Sequence, residues 1–334
     1  MGKRVIKLNA WDAAVCKALS NATTFADLFN GSIFQGEQVI DPSRLVACSE
    51  RQILQVKTEN DKIRDINRIR DIKMQMKSLD DKGQSEVILA VEAQREVHYG
   101  MPIRCFAYDS VDYLDQMKIR AKRNRHSHNL KNSAEFLSGL TEDDRLTPVL
   151  TIVLYYGDKK NWTKPVHLHD MLNFTGSFTR WREKFPNYAL HIASSDTVNK
   201  ENFKTGLREV FELLEVCHHK KGLYKILKEN EEHYSHLSRE RCELISVFLD
   251  IPALREKPEF YENELGGVNM CTAIEEMVRD GEKRGERRGE RRGERRYNQL
   301  LKKLLEENRT KDIFRMTEDQ EFRKKLLREE KLEL

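Results

Sequence analysis

Long apolar runs are missing from this chain of 334 residues. None approaches the roughly 20 consecutive apolar residues that a membrane-spanning helix needs, and the N-terminus has no apolar core of the kind found in secretory signals. Cysteine is sparse, with six residues and no C-x-x-C pair. A disulfide framework and a zinc ribbon are therefore disfavoured, and we expect a protein of the reducing cytoplasm without a membrane partner.

Several motifs of nucleotide binding and nucleophilic catalysis are also missing. The sequence has no P-loop, no G-x-G-x-x-G stretch and no G-x-S-x-G elbow, which disfavours the enzyme classes that depend on them. His126 and His128 lie among basic residues, so a phosphate-facing loop is a better interpretation of this pair than a metal site. His167 and His169 are expected in a loop that precedes a helix.

Positive charge is concentrated in two segments of a nearly neutral chain with a formal net charge of +4. Residues 118–131 carry six basic side chains and no acidic one. Residues 281–296 carry eight basic and four acidic side chains in a four-residue repeat punctuated by glycine. This distribution is compatible with a polyanionic partner, although a solvated charged face is the commoner explanation of any single run.

Hydrophobic periodicity predicts two N-terminal helices followed by a β region. The second helix is predicted to end at Gly31 as its cap. Residues 71–77 alternate strictly between apolar and polar side chains, as a half-buried strand does. The apolar strand 87–94 follows the turn residues 80–83, so the two strands are expected to form a hairpin.

The remainder of the chain predicts alternating helix and strand and then helix alone. Pro102 suits the first turn of a long helix, and residues 146–158 and 188–194 are predicted strands. Helical spacing continues from Phe203 to about Ile251. The pattern indicates an α/β protein, with a helical region and then a charged C-terminal helical tail after the strands. We expect domain boundaries that give residues 1–200, 201–270 and 271–334.

The tail itself has two expected parts. Its glycines lower helix propensity by up to about 1 kcal/mol each relative to alanine, which predicts a marginal helix or a flexible arm over the repeat. The following residues, 297–308, form a better amphipathic helix that can pair with a partner helix, including that of a second copy of the chain.

Two polar side chains interrupt the apolar strand that ends the predicted hairpin. Glu92 and Gln94 are two positions apart, so they project from the same face of the strand. Asp71 begins the preceding strand, and pairing of the two strands would bring its carboxylate towards Glu92. Two carboxylates with a backbone carbonyl suit Mg²⁺ or Mn²⁺, which can activate a water for attack on phosphorus. Gln94 would orient that water.

The choice of the first carboxylate has an alternative. The tripeptide Arg-Asp-Ile occurs twice, so Asp65 competes with Asp71. Asp71 is preferred because it begins the strand with the cleaner alternation. The alternative without a function is that Glu92 and Gln94 lie at the solvent-exposed end of the strand, where water or Arg95 binds their polar groups.

The chain resembles the Rpn family of recombination-promoting nucleases and transposases, a branch of the PD-(D/E)XK nuclease superfamily. The match covers about the first 270 residues in order, and the charged, glycine-punctuated tail is also typical of the family. Four segments carry it: FADLFNGSIFQGEQVI (25–40), RDIKM (70–74), ILAVEAQREVHYGMPIRCFAYDSVDY (88–113) and FLSGLTEDDRLTPVLTIVLYYGDKKNW (136–162).

The resemblance implies a PD-(D/E)XK-like mixed sheet flanked by helices and metal-dependent cleavage of DNA phosphodiester bonds. Asp71 and Glu92 would be the metal carboxylates, and Gln94 would replace the lysine of the superfamily, so it supplies no positive charge to the transition state. On this interpretation the protein is associated with the nucleoid. The residues expected to contact DNA phosphates are Arg95, Arg104, Lys118, Arg120, Lys122, Arg123 and Arg125.

A second function class competes with the nuclease. A module that binds DNA or protein and has lost catalysis would also carry basic segments and a long tail helix, and Gln94 in place of lysine favours it. The sequence leaves open the form of the DNA and whether the biological role is recombination, transposition or defence.

Overall fold

The computed structural model describes residues 10–48, 51–57, 63–79, 85–157, 161–217, 220–251, 254–255, 261, 268–330 and 332. Two helices open the described chain, α1 (Ala10–Leu19) and α2 (Ala22–Ser32), as the sequence predicts. Asn21 caps α2, because its Oδ1 accepts hydrogen bonds from the backbone N–H groups of Thr23 and Thr24.

Gly31 does not cap α2, contrary to the prediction. The helix continues through Ser32, and Gly31 lies inside its last turn. A Cβ on Gly31 would lie 2.4 Å from the ring of Phe203. The glycine therefore permits close packing of the helix against an aromatic ring rather than a left-handed backbone.

In the described part of the chain, seven strands form a mixed five-stranded sheet and a separate two-stranded sheet. The strands are β1 (Leu45–Ala47), β2 (Arg51–Lys57), β3 (Ile63–Ile69), β4 (Ile72–Lys77), β5 (Ser85–Gln94), β6 (Val149–Tyr155) and β7 (His191–Ala193). The large sheet has the order β1-β4-β5-β6-β7; β1, β4 and β5 pair antiparallel, whereas β5, β6 and β7 pair parallel. The two-stranded sheet pairs β2 with β3.

The predicted hairpin is confirmed. β4 and β5 are antiparallel neighbours, with Ile72 opposite Val91. Ile72, Met74 and Met76 are buried and the residues between them are half-buried, as the alternation predicts. The turn predicted at residues 80–83 lies outside the described residues.

Helix α3 (Met101–His126) connects β5 to its parallel neighbour β6 and covers one face of the sheet. Pro102 lies in its first turn, as predicted. Met101 and Cys105 of α3 pack on Val153 and Tyr155 of β6 and on Trp162. α1 also contacts β5, and the Oδ1 of Asp12 accepts a hydrogen bond of 2.9 Å from the Tyr156 hydroxyl.

The short helix α4 (Ser133–Ser138) follows α3, and four helices follow the sheet. They are α5 (Leu207–Val216), α6 (Lys220–Glu229), α7 (Glu231–Ser235) and α8 (Arg239–Phe248). α5 packs on α8 and α2, and α8 also packs on α1. The region from residue 201 therefore shares contacts with the N-terminal helices.

The chain divides into two compact units, Met1–Met270 and Cys271–Leu334. The tail unit is helical: α9 (Met270–Glu306), α10 (Thr310–Glu318) and α11 (Gln320–Glu329). α9 runs without interruption through the glycine repeat, so the prediction of helix there is confirmed. Leu300 and Leu304 of α9 are buried against Met316 and Leu326. The apolar face of this helix is thus covered within the chain, and its pairing with a second copy stays a prediction.

The described chain is therefore a mixed α/β protein, as predicted. Within the part of the chain that the structure describes, no helix has both the length and the apolar character that crossing a membrane requires.

Candidate functional site

Asp71 and Glu92 come together at the end of the β4–β5 hairpin. Ile72 lies opposite Val91, so the next residue on each strand places Asp71 beside Glu92. The Oδ2 of Asp71 accepts a hydrogen bond of 2.9 Å from the backbone N–H of Ala93. The hairpin therefore brings together two acids that are 21 positions apart in the sequence.

Glu92 is a fully buried carboxylate, with 0% of its surface exposed. Nη2 of Arg104 on α3 lies 2.8 Å from its Oε2. Neither carboxylate oxygen receives a well-aligned hydrogen bond from a described residue. An ion pair without hydrogen bonds compensates the loss of hydration poorly, so this carboxylate lies in an environment that favours its neutral form.

The electrostatics of Glu92 follow from this environment. Burial raises its pKa to about 8, the charge of Arg104 lowers it, and the charge of Asp71 raises it. A buried carboxylate whose pKa is moved this far is a feature that functional sites share with structural ion pairs. A cation placed between the two carboxylates would lower the pKa of Glu92.

Gln94 lies on the same face of β5 as Glu92 and is half-buried. It is opposite Tyr155 in the parallel β5–β6 register. Its backbone carbonyl accepts a hydrogen bond of 3.1 Å from the N–H of Tyr156. The side chain of Arg95 has a different use, because its guanidinium carbon lies 4.1 Å from the ring centre of Trp11 in α1.

Asp65, the alternative first carboxylate, lies on β3 and pairs with Gln55 of β2. It thus belongs to the two-stranded sheet and not to the sheet that carries Glu92. The structure therefore brings Asp71, and not Asp65, next to Glu92 in strand register.

A buried polar network supports the hairpin from beneath α3, and sequence reasoning missed it. Arg70 has 0% exposed surface, and its guanidinium donates to Thr151 Oγ1 at 2.8 Å and to Asp109 Oδ1 at 2.6 Å. Nη2 of Arg70 also lies 3.2 Å from Asp112 Oδ2. Lys73 donates to Oδ1 of Asp112 at 2.8 Å. These bonds fix the start of β4 against α3, and so they orient Asp71 and Arg104.

A sequence signal for this network exists. Asp109 and Asp112 are three positions apart, which places both on one face of a helix that follows an apolar strand. Acidic residues on the buried face of a helix need cationic partners. Arg70 and Lys73, at either side of Asp71, are those partners.

The predicted phosphate-binding residues divide into two groups. Arg95 and Arg104 lie in packed positions, on Trp11 and Glu92 respectively. The other five lie on the C-terminal half of α3, and the first of them, Lys118, lies about 21 Å along the helix axis from Arg104 at 1.5 Å per residue. This set, the basic end of α3, comprises Lys118, Arg120, Lys122, Arg123 and Arg125.

The basic end of α3 is open to solvent apart from one anchored arginine. Arg120 donates to the carbonyl of Arg145 at 3.0 Å and lies 3.4 Å from Asp144. Lys118 lies 3.4 Å from Asp115, and its side chain is largely exposed. Lys122, Arg123 and Arg125 are exposed. Their charges are therefore available to an anion in solution.

The resemblance implies a divalent metal, and Asp71 and Glu92 are the residues that would hold it. Among the described residues, no group of three or more His, Cys, Asp and Glu side chains is arranged to hold a metal ion. Asp71 and Glu92 offer two carboxylates, and both Glu92 oxygens are buried without hydrogen bonds. Two carboxylates fit Mg²⁺, which keeps several water ligands and often uses only one or two protein carboxylates.

Comparisons with known proteins add no relative. A scan against protein-family models matches no family, and comparisons with curated proteins and with solved structures return no significant match. The functional interpretation therefore depends on the sequence segments quoted above and on the geometry around Glu92.

Proposed function

We propose that this chain is a divalent-metal-dependent endonuclease of the PD-(D/E)XK type that hydrolyses DNA phosphodiester bonds. One observation carries the proposal: Glu92 is fully buried, neither of its oxygens has a well-aligned hydrogen bond from a described residue, and it lies beside Asp71 at the end of a sheet. Burying a carboxylate in this state costs stability, which favours a role in binding a cation.

Each side chain in the site has a proposed role. Asp71 and Glu92 hold Mg²⁺ or Mn²⁺, and the backbone N–H of Ala93 fixes the carboxylate of Asp71 through its hydrogen bond. When bound, the metal polarises a phosphoryl oxygen and lowers the pKa of a bound water. Gln94 projects from the same strand face and orients the attacking water through its amide. It contributes no positive charge.

Arg104 has two proposed roles, of which only the contact with a DNA phosphate was expected from the sequence. Its guanidinium neutralises Glu92 when no cation is present. A DNA phosphate that enters the site offers this arginine a second anionic partner, which it can bind in a bidentate manner. The basic end of α3 then contacts the DNA backbone farther from the cleaved bond, and this interaction weakens as salt rises. We place the activity in DNA recombination or transposition at the nucleoid.

A catalytically silent binding module is the second candidate, and the same arginine favours it. Nη2 of Arg104 is 2.8 Å from Oε2 of Glu92, so Glu92 has a cationic partner without any metal ion. On this alternative the pair only joins α3 to β5, and DNA or protein binds through the basic end of α3 and the tail.

Plasmid cleavage separates the two candidates. Supercoiled DNA is incubated with Mg²⁺ or Mn²⁺ and with wild type, Asp71→Asn, Glu92→Gln or Glu86→Gln. Glu86 is the matched control, because it lies near the other end of β5 and pairs with Arg44. The nuclease proposal expects nicking by wild type and Glu86→Gln and its loss in the other two. Equal nicking by all four proteins, or retention of DNA without cleavage under every metal, would contradict it.

A further inference from the structure

A second surface with the chemistry of nucleic-acid binding lies on the loop between β6 and β7. Residues 172–186 contain three basic side chains, one acidic side chain and four aromatic rings. Phe178 is 61% exposed, Trp181 49% and Phe185 39%. Large apolar side chains at this exposure are costly unless something covers them, and here they lie together on one short segment.

The loop holds its aromatic rings in place through a buried histidine. His169 is buried, and its Nδ1 accepts a hydrogen bond of 3.2 Å from Nε of Arg182. Its Nε2 lies 3.0 Å from the carbonyl oxygen of Phe185. The backbone N–H of His169 donates to Asn187 at 3.1 Å. These bonds join both ends of the loop, so the exposed rings are prevented from folding inwards.

The aromatic rings also order one another. The Phe178 and Phe185 ring centres are 6.1 Å apart at 77° between planes, and those of Phe174 and Phe185 are 5.3 Å apart at 62°. The guanidinium carbon of Arg180 lies 5.5 Å from the ring centre of Trp181. An exposed indole beside an exposed guanidinium presents a flat apolar face and a positive charge to the same ligand.

The C-terminal end of this loop leads to Tyr188, which contacts α3, the helix that carries Arg104. The Tyr188 ring centre is 5.6 Å from that of Phe106 on α3. The hydroxyl of Tyr188 donates to Oδ2 of Asp109 at 2.5 Å. The loop is therefore anchored to α3 on the sheet face where Glu92 lies.

We propose that Phe178, Arg180 and Trp181 form a stacking platform for unpaired bases of a single-stranded nucleic acid. Flat aromatic faces bind bases of any sequence, and neighbouring basic side chains attract the phosphates between them. A duplex keeps its bases stacked on each other and offers none to the platform. The inference deepens the proposed function by naming single-stranded character in the substrate, but it concerns binding alone.

Tryptophan fluorescence gives a direct test on the full-length protein. The chain has three tryptophans; Trp162 is 3% exposed and Trp11 is stacked by Arg95, so Trp181 is the exposed indole. An oligothymidine of about 15 nucleotides, within the length that such surfaces bind, is titrated in EDTA against a duplex of equal length. We expect quenching by the single strand and binding that is weaker by roughly tenfold in Trp181→Ala and Phe178→Ala, measured by anisotropy of labelled DNA.

Two control variants keep the result interpretable. Phe314→Ala removes an aromatic ring that is 71% exposed in the tail unit, and it should bind as wild type does. Glu86→Gln should also bind as wild type does, because its carboxylate pairs with Arg44 near the other end of β5. Binding without cleavage in wild type would leave the platform standing and end the nuclease proposal. Cleavage by wild type, together with undiminished single-strand binding in Trp181→Ala, would support the nuclease proposal and contradict the platform.

Other outcomes overturn the platform directly. Equal binding of duplex and single strand with no effect of Trp181→Ala would mean that only backbone charge is recognised. Failure of oligothymidine to bind, together with self-association that Trp181→Ala abolishes in sedimentation, would assign the loop to a protein interface instead. Circular dichroism of Trp181→Ala should match wild type, because the side chain is half exposed.

Discussion

Among the residues that the structure describes, two glutamates are fully buried, Glu92 in the sheet and Glu209 in α5, and their surroundings differ. The Oε1 of Glu209 lies 2.9 Å from Nε2 of His233 and accepts a 2.5 Å hydrogen bond from Nη1 of Arg241. Oε2 of Glu209 has no hydrogen bond from a described residue, whereas for Glu92 this holds of both oxygens, and its ion-pair partner is Arg104.

The difference separates two uses of a buried acid. Glu209 joins α5 to α7 and α8, and its partners Arg241 and His233 reach it from the surface with side chains that are 32% and 48% exposed. That arrangement ties helices together. Glu92 joins β5 to α3 through one cation and keeps coordination capacity unused. Burial alone therefore does not separate the two acids; the number of oxygens without a hydrogen bond from a described residue and the neighbouring Asp71 do.

Cleavage should distinguish the two acids most strongly. We expect Glu92→Gln to lower the rate of Mg²⁺-dependent nicking by about 10²-fold or more, in the range seen when one preorganised electrostatic group is removed. Glu209→Gln should leave the rate per folded molecule close to that of wild type. Initial rates on supercoiled plasmid, normalised to the folded fraction from circular dichroism, measure this. Loss of cleavage in both variants with both folded would remove the distinction.

The free energy of unfolding should change in opposite directions in Glu92→Gln and Glu209→Gln. Glu209→Gln removes the charge that holds Arg241 and His233, and we expect a loss of about 1–3 kcal/mol. Glu92→Gln replaces a poorly compensated buried charge with a neutral isostere, so at pH 9 without metal it should gain stability. Urea unfolding in EDTA gives both values.

The raised pKa of Glu92 predicts how the stability of the protein changes with pH. Its folded-state pKa is raised from 4.5 to about 8, so its contribution to stability is fully present below the unfolded pKa and is lost as pH rises through about 8. The advantage of Glu92→Gln over wild type should therefore grow between pH 5 and pH 9. An advantage that is constant with pH, or a more stable wild type at pH 9, would contradict the environment described for Glu92.

The sequence predicted the hairpin well because its information is local. Alternation from Ile72 to Met76 and the apolar run of β5 determine which face is buried and which strands pair. The convergence of Asp71 on Glu92 follows from that pairing. For the tail repeat the sequence left a marginal helix and a flexible arm open, and the structure has the helix α9 there.

The sequence could not assign the long-range partners. Arg104 was expected at a phosphate, and only the crossing of α3 over β5 shows that it lies on Glu92. Arg95, the residue after β5, lies on Trp11 of α1, and the position of α1 depends on the tertiary fold. Gly31 looked like a cap because Asn-Gly-Ser is typical of helix ends, but the reason for glycine is Phe203, which lies 172 positions later.

Removing the charge of Arg104 sharpens the comparison of Glu92 with Glu209, because Glu92 then loses its ion-pair partner. Arg104→Met keeps the length of the side chain and removes its charge, so Mg²⁺ no longer competes with an internal cation. We expect a larger Mg²⁺-induced increase in Tm than in wild type; a ligand at one hundred times its Kd stabilises by about 2.7 kcal/mol.

The control for this variant is Arg120→Met, on the same helix but bonded to the carbonyl of Arg145. Its Mg²⁺ response should equal that of wild type. Thermal unfolding in EDTA and over a Mg²⁺ titration measures all three proteins. An unchanged or smaller response in Arg104→Met would mean that Glu92 is paired with Arg104 for structural reasons, as Glu209 is with Arg241.

The smallest expected effect is at the basic end of α3, where each side chain is exposed and acts through screened charge. Lys122→Ala should weaken DNA binding uniformly across sequences and reduce the slope of log K against log salt by about 0.9, the value for one phosphate contact on duplex DNA. Lys225→Ala, an exposed lysine on α6 paired loosely with Glu229 at 3.8 Å, is the matched control and should leave the slope unchanged. Equal slopes in all three proteins would mean that α3 presents its charge to solvent alone, and DNA would then have to be held by Arg104 and the loop before β7.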